Sequence, residues 1–323
     1  MSAPDAGALA ARLRARDLSA APAVLNLVES SSRDAREETE TLLRALAPAE
    51  TGAEAPAHIV GVTGPPGVGK STLLSRLVDG WRARGRSVAV LAVDPSSRRS
   101  GGSLLGDRAR IEHDPADGAV FIRSMAAGER LGGLAPATHS AAAALAVAFD
   151  VVVIETVGVG QSETEVADLA DSVVVVVQPG SGDVLQFLKA GIMEVPDILV
   201  VTKADLGQVA TRSVADLHAA LRSLGARDTP IIAVSSVAPA TGVDELLDAL
   251  AGHRARLDLP GRRLRSRHAQ ALSLFASEAG ERSVRAIGGR RAAVRLLADQ
   301  DAGLDVGGLV RVLERRAASE ADG

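Results

Sequence analysis

The chain has 323 residues, of which 46% are hydrophobic and 24% charged, so it can bury a large core in two domains or in one domain with appendages. Its formal net charge of -4 argues against a globally basic surface, and we therefore expect no nucleic-acid partner. The absence of Cys excludes disulfides, thiolate metal sites and cysteine nucleophiles, and it fits a reducing compartment.

The first 50 residues are predicted to form a helical extension, because Leu and Val recur there at helical spacing. Ser32 is the expected N-cap of one helix and Pro48 its stop. Residues 1–6 lack a basic region followed by an apolar core, and the apolar runs elsewhere are interrupted by charge or glycine. We therefore expect a cytoplasmic protein without a membrane partner.

Residues 51–255 are predicted to form an α/β domain with a doubly wound, mainly parallel sheet. Short apolar runs alternate there with helical patterns, and their continuous apolar character indicates strands covered by helices on both faces. Ligands of such sheets bind beyond the carboxyl ends of the strands. The predicted strands are Ile59–Thr63, Val88–Val93, Ala119–Ile122, Val151–Glu155, Val173–Gln178, Ile198–Thr202 and Ile231–Ser235.

Residues 256–323 are predicted to form a helical arm. The basic run at residues 262–268 is better explained by a solvated helix face than by a binding patch.

A glycine-rich segment between the first predicted strand and a helical pattern has the sequence and the context of a P-loop. Its glycines let successive N–H groups surround an anion, and the following helix adds unpaired N–H groups and a favourable dipole. Lys70 is expected to reach the β- and γ-phosphates, and Ser71 to place its hydroxyl on a Mg²⁺ ion. The predicted phosphate-binding residues are Gly64, Pro65, Pro66, Gly67, Val68, Gly69, Lys70, Ser71 and Thr72.

Acidic residues at two predicted strand ends are candidates for the metal shell. Glu155 ends a buried strand, and Gly158 follows three residues later, where its N–H could meet the γ-phosphate. A buried glutamate without a ligand would carry a desolvation cost, which favours a functional role. Asp94 is a second candidate, although it could also be a turn residue before Pro95.

The segment Thr202-Lys203-Ala204-Asp205 follows another apolar strand and is predicted to bind the base. A carboxylate at Asp205 can accept from both N1–H and the amino group of guanine, and adenine has no such donor pair. The usual motif begins with Asn, so Thr202 retains one hydroxyl contact to the loop but loses the amide. The later Ser235-Ser236-Val237 could supply backbone N–H groups to guanine O6.

Two further segments are rich in turn formers and are switch candidates, at residues 94–108 and 180–191. Together with the P-loop they contain the strings G-P-P-G-V-G-K-S, V-D-P-S-S-x-x-S-G-G-S-x-L-G-D, F-I-R-S-M-A, L-G-G-L-A, E-T-V-G-V-G-Q-S-E and K-A-G-I-M-E. This ordered set closely resembles the MeaB/ArgK family, P-loop GTPases of the SIMIBI branch. The resemblance covers most of residues 58–205, with weaker similarity in the helical flanks.

The resemblance implies a Mg²⁺-dependent GTPase that acts as a chaperone of an adenosylcobalamin-dependent acyl-CoA mutase, notably methylmalonyl-CoA mutase. Such a protein gates cofactor loading and protects or rescues the mutase, binds GTP and GDP but not cobalamin directly, and forms a homodimer through its C-terminal arm. The family roles carried over to this sequence are phosphate and metal binding by Lys70 and Ser71, magnesium and switch support by Glu155, Asp94 and Asp107, and guanine recognition by Asp205. A mutase-facing switch is implied at Gly182, Asp183, Gln186 and Lys189.

The sequence departs from the family pattern at Thr202, at Arg108, where Lys is usual, and at Gly128-Glu129-Arg130, where Arg-Gly-His is typical. Arg98, Arg108 and Arg123 lie near the switches and are candidates for a catalytic arginine in cis.

Three other functions remain open on the residues alone. An ATP-dependent kinase or transport ATPase would prefer ATP to GTP, which Lys203 and Asp205 argue against. A nickel-inserting metallochaperone GTPase would need clustered Cys and His, whereas Cys is absent and the six His residues are scattered. A signal-recognition GTPase would need a Met-rich groove, and the chain has three Met residues.

Overall fold

The computed structural model describes residues 5–30, 32–48, 53–94, 111–126, 134, 136–156, 161–180, 196–226, 228–301 and 303–321. The chain divides into two compact units. One is Ala57–Leu257, and the other joins Met1–Pro56 to Asp258–Gly323.

The unit of residues 57–257 contains a seven-stranded, fully parallel sheet in the order β3-β2-β4-β1-β5-β6-β7. Every residue of β1, β4, β5 and β6 is buried, as expected of central strands with both faces covered. This arrangement confirms the predicted fold class. The strands are β1 (His58–Thr63), β2 (Val88–Asp94), β3 (Val120–Ala126), β4 (Val151–Thr156), β5 (Ser172–Val177), β6 (Ile198–Val201) and β7 (Ile231–Ala233).

All seven predicted strands are present, and two of them end two or more residues from the expected position, whereas the others end within one residue of it. Strand β3 continues to Ala126 rather than ending at Ile122, because this half-buried edge strand accommodates polar residues. Strand β7 ends at Ala233 rather than Ser235, because Ser235 instead forms an antiparallel bridge with Thr241.

Helices cover the sheet on both faces. Alternate residues of a strand point to opposite faces, and Val60 and Val62 of β1 belong to a core cluster with Leu73 and Leu246. On the other face, a Cβ at Gly61 would lie 2.8 Å from a methyl of Val166, so glycine permits close packing of α6. The helices of this unit are α4 (Lys70–Ala83), α5 (Pro136–Ala148), α6 (Gln161–Leu169), α7 (Gln208–Ser223) and α8 (Val243–Arg256).

The second unit is helical. Ser32 caps α3 as predicted, since its hydroxyl accepts from the N–H of Ala35 at 3.2 Å. Its helices are α1 (Ala6–Arg14), α2 (Ala21–Val28), α3 (Arg33–Leu46), α9 (Leu259–Glu278), α10 (Gly280–Ala286), α11 (Arg290–Ala298) and α12 (Val306–Ala321).

The N-terminal and C-terminal segments are tied together by ion pairs. Arg267 on α9 contacts Glu54 at 3.1 Å with both side chains largely buried, and Arg311 on α12 contacts Glu40 at 3.3 Å. The two segments are predicted as separate extensions, and in the structure they belong to one compact unit. Within the described residues, no helix combines the length and the continuous hydrophobicity that a transmembrane span requires.

Candidate nucleotide-binding site

The glycine-rich loop lies between the carboxyl end of β1 and the start of α4. Gly64, Gly67 and Gly69 have positive φ angles of 146°, 78° and 97°, which side chains with a Cβ rarely adopt. A Cβ at Gly64 would lie 2.1 Å from the carbonyl oxygen of Val176 on β5. The glycines therefore satisfy both the backbone conformation and the close approach that the P-loop prediction required.

The side chain of Lys70 folds back over this loop. It is only 7% exposed, and its Nζ donates to the carbonyl oxygens of Gly64 at 2.7 Å and Pro65 at 3.0 Å. A buried ammonium requires compensating negative charge or several acceptors. The position of this ammonium inside the loop suits the oxygens of a phosphate group.

Helix α4 begins at Lys70 and has no side-chain cap, because Gly69 occupies the N-cap position. A helix start without a side-chain cap leaves first-turn N–H groups for an anion. Ser71 is half-buried in this first turn and Thr72 is exposed. The hydroxyl of Ser75 donates to the carbonyl of Ser71 at 3.1 Å and accepts the N–H of Glu112 at 2.8 Å, so it joins the metal-ligand candidate to the segment after residue 110.

Glu155 lies near the end of β4, opposite Val62 of the neighbouring β1, and is 6% exposed. The next residue, Thr156, donates its hydroxyl to that of Thr63 at 3.0 Å, which fixes the two strand ends beside the P-loop. Asp94 ends β2, next to β4 in the sheet. The side chain of Asp94 and all of Asp107 and Gly158 lie outside the described residues.

The described part of this edge holds no group of three or more acidic or histidine side chains that could bind a metal ion alone. A Mg²⁺ ion in a P-loop site usually has few protein ligands and takes the rest from phosphates and water. Ser71 and Glu155 supply the hard oxygen donors that this ion prefers, so the residues present fit it.

The predicted base-binding residues meet at the ends of β6 and β7. The hydroxyl of Thr202 donates toward the carbonyl of Val68 in the P-loop at 2.6 Å and is 3.0 Å from that of Val177. Since a hydroxyl has one hydrogen, it serves one acceptor at a time, and the P-loop carbonyl is nearer. Thr202 therefore makes the loop contact that was expected of it in place of Asn.

Asp205 faces the loop that follows β7. Ser235 donates its hydroxyl to Asp205 Oδ1 at 3.0 Å, which orients the carboxylate. A cavity of about 210 Å³ opens beside this pair, and Lys203 has a left-handed backbone, with φ of 54°, at the adjacent turn. The cavity is lined by Ala204, Asp205, Ser235, Val237, Ala238, Pro239 and Thr241.

Two residues of this site were not predicted. Gln178, directly after β5, accepts a hydrogen bond from the Lys203 ammonium through its Oε1. Arg76 on α4 donates from Nε to the carbonyl of Ser236 at 3.1 Å. The sequence does carry a signal for Gln178, because it is a polar residue directly after the Val run of β5. It carries no such signal for Arg76, because charged residues are common on helices.

Of the remaining predicted residues, the structure describes only Arg123. Arg123 is half-buried in the middle of the edge strand β3. Arg98, Arg108, residues 128–130 and the mutase-facing candidates Gly182, Asp183, Gln186 and Lys189 lie outside the described residues.

The chain is similar to known GTPases over most of its length. A family model described as "Methylmalonyl Co-A mutase-associated GTPase MeaB" matches residues 21–288. A protein of Pyrococcus abyssi whose name describes it as a GTPase is 43% identical over 259 residues, which are 78% of this chain and 76% of its own length. The methylmalonic aciduria type A homolog of Caenorhabditis elegans, named as mitochondrial, is 36% identical over 260 residues, 76% of this chain and 65% of its own.

A solved structure described as "LAO/AO transport system kinase" matches over 98% of both chains, with a TM-score of 0.63 and 26% identity. It shares the fold over the full length, including the helical segments.

Proposed function

Because the chain belongs to the MeaB family of mutase-associated GTPases, we propose that it binds and hydrolyses Mg²⁺·GTP and acts as a chaperone of an adenosylcobalamin-dependent acyl-CoA mutase. The observation that carries the GTPase part is the hydroxyl bond from Thr202 to Val68. This bond joins a P-loop containing a buried lysine to the cavity that Asp205 lines, which supports a single site with phosphate and base subsites.

The residues of this site would have separate roles in binding the nucleotide and in neutralising its charge. The ammonium of Lys70 and the first turn of α4 offset the negative charge of the phosphates. Asp205 accepts from N1–H and the amino group of guanine. Ser71 and Glu155 would hold Mg²⁺, which would supply neutralisation of the phosphate charge.

Hydrolysis breaks the bond between the γ-phosphorus and the β–γ bridging oxygen, and the oxygen of a water molecule forms the new bond to phosphorus. This reaction depends mainly on in-line positioning and charge stabilisation. A partner that orders a catalytic arginine accelerates such hydrolysis by about 10³–10⁵-fold in related systems. We propose Arg98, Arg108 or Arg123 for that role.

The mutase-related part of the proposal is supported by the description of the matching family and by the name of the C. elegans relative. In this proposal the GTPase gates loading of adenosylcobalamin and protects or reactivates the mutase without binding cobalamin itself. The segment containing Gly182 to Lys189 faces the mutase, the C-terminal helical arm forms a homodimer, and the protein acts in the cytoplasm.

Calorimetry and turnover assays test the two parts separately. The purified chain should release or absorb heat on binding GDP and GTP with Mg²⁺ and should prefer both to ATP. Preference for ATP would instead support a kinase or transport ATPase. Candidate acyl-CoA mutases are then added, and GTP turnover should rise with one of them. Unchanged turnover with all acyl-CoA mutases would contradict the chaperone role but not the GTPase activity.

The same assay tests each arginine. Replacement of Arg98, Arg108 or Arg123 by Ala should remove the stimulation if that residue acts in cis, and stimulation equal to that of the unmodified chain would exclude it.

A further inference from the structure

The loop of residues 235–242, which we call the base loop, is fixed firmly at its two ends. Two backbone hydrogen bonds join these ends: the N–H of Ser235 donates to the carbonyl of Thr241 at 3.1 Å, and the N–H of Thr241 donates to the carbonyl of Ser235 at 3.0 Å. At the C-terminal end of the loop, a Cβ at Gly242 would lie 2.1 Å from the carbonyl oxygen of Ala233, so the backbone there packs closely on strand β7. Between these ends, Val237 and Pro239 are exposed beside the cavity.

Arg76 supplies a further attachment, inside the base loop. It lies on α4, the helix whose first turn contains Lys70 and Ser71, and its Nε donates to the carbonyl of Ser236 at 3.1 Å. The side chain is 35% exposed and also forms an ion pair with Asp79, at 3.8 Å on the same helix. A charged donor to a partly buried carbonyl is stronger than a neutral hydrogen bond.

Because the peptide group is planar, this bond also affects the direction of the Val237 N–H. The carbonyl of Ser236 and the N–H of Val237 belong to one peptide unit and point in opposite directions in the trans form. A guanidinium that holds the carbonyl therefore sets the direction of the Val237 N–H. Val237 lines the cavity beside Asp205, and its N–H is one of the candidate donors to guanine O6.

We propose that Arg76 is a positioning residue for base recognition, which couples the phosphate-binding helix to the N–H groups that read O6. This inference rests on the proposed GTPase function. It assigns O6 recognition to the base loop as aligned by Arg76, and recognition of the guanine amino group to Asp205.

The assignment can be tested with ligands that separate these contacts. GDP carries O6 and the amino group, inosine diphosphate carries O6 without the amino group, and inorganic pyrophosphate carries neither. Arg76→Met keeps much of the aliphatic stem and removes the donor. Because a hydrogen bond from a charged donor is stronger than a neutral one but Arg76 is partly exposed, we expect a loss of about tenfold in affinity.

Arg76→Met should therefore raise the Kd of GDP and of inosine diphosphate by the same factor and leave the Kd of pyrophosphate unchanged. Arg76→Lys, which retains a charged donor, should restore part of the loss. Asp79→Ala is the matched control, because it removes the ion pair of Arg76 but not its bond to Ser236, and it should leave all three affinities unchanged. Thermal unfolding of each apo variant reports on folding.

Other results would overturn the inference. An equal loss for pyrophosphate would show that Arg76 acts on the phosphate helix as a whole. A loss confined to GDP would show that O6 is not the group affected, and unchanged affinities would show that the bond has no role in binding. If the unmodified chain bound pyrophosphate but neither diphosphate, the proposed guanine-nucleotide function itself would fail.

Discussion

At the amino ends of the strands, Asp150, Asp171 and Asp197 each accept a main-chain N–H from the neighbouring strand or from the residue directly before it. At the carboxyl ends, by contrast, Lys70 lies inside the P-loop and Asp205 lines the base cavity. The three aspartates bond to the N–H groups of Ser87, Ile59 and Val173 at 2.8, 2.9 and 2.8 Å. They satisfy the backbone where the sheet begins.

A buried side-chain network continues this pattern. The hydroxyl of Ser172 lies 2.7 Å from His58 Nε2 and 2.6 Å from His253 Nδ1, and His253 Nε2 lies 3.3 Å from Asp197. These polar groups are partners of one another. The difference between the edges is that polar side chains at the amino edge bond to strand N–H groups and to one another, whereas Lys70 and Asp205 at the carboxyl edge lie at the P-loop and beside the base cavity. A cavity of about 240 Å³ also lies at the amino edge, beside Asp197 and His253, but it is far from the P-loop end of the strands.

Among the substitutions that test this difference between the two edges, Asp205→Asn should have the largest effect, on the choice of base. Asparagine keeps an acceptor for the Ser235 hydroxyl but presents a donor where guanine has its amino group, and xanthine has a carbonyl there. Sites built to bond a substrate group reject unmatched analogues by about 10⁴-fold. In Asp205→Asn, the ratio of GDP to xanthosine diphosphate affinity should therefore fall by about 10³-fold or more.

Competition binding of the two diphosphates measures this ratio. Pyrophosphate affinity serves as the control and should not change. Retention of the original GDP preference would mean that Asp205 does not read the base.

Lys70 is the next position in expected magnitude. Lys70→Met keeps the buried aliphatic stem and removes the charge that faces the phosphates, so affinity for GTP should fall by about 100-fold, given about 1.5–3 kcal/mol per hydrogen bond to a charged group. Calorimetry with GTP and GDP measures it. A variant that bound both nucleotides as tightly as the unmodified chain would place the phosphates elsewhere.

At the amino edge, removal of a polar group should affect stability without affecting binding. Ser172→Ala removes the buried hydroxyl between two imidazoles, and loss of such a partner costs about 1–3 kcal/mol. Urea unfolding of the apo protein should show that decrease, and the Kd of GDP should stay within twofold, about 0.4 kcal/mol. A variant with unchanged stability and weakened GDP binding would contradict the division of roles between the two edges.

The sequence was a good guide to the carboxyl edge and a poor guide to the amino edge. Glycines, Lys70 and Asp205 are predictable because a phosphate and a base demand particular residue types at fixed distances along the chain. The partners Arg76 and Ser236 are 160 residues apart, so only the folded chain brings them together. The amino-edge network was likewise missed, since each histidine alone indicates nothing beyond packing.

One local signal at the amino edge could have been used. An aspartate directly precedes each of three apolar strands, at D-V-V-V-I, D-S-V-V-V and D-I-L-V-V. An aspartate placed there can accept the N–H of an adjacent strand, as Asp171 does for Ile59. The repeated pattern therefore marks where buried parallel strands begin.

The smallest expected effect is at Thr202, the residue that joins the base pocket to the P-loop. Thr202→Val preserves the shape of a β-branched side chain and removes the hydroxyl bonded to Val68, so the GDP affinity should fall by about fivefold, the equivalent of about 1 kcal/mol. Thr202→Asn restores a donor and should recover the lost affinity relative to the valine variant. Calorimetry with GDP and pyrophosphate separates the outcomes: because Thr202 holds the P-loop itself, both ligands should weaken, unlike in Arg76→Met. Loss confined to GDP would show that Thr202 serves the base alone and that the two subsites are joined elsewhere.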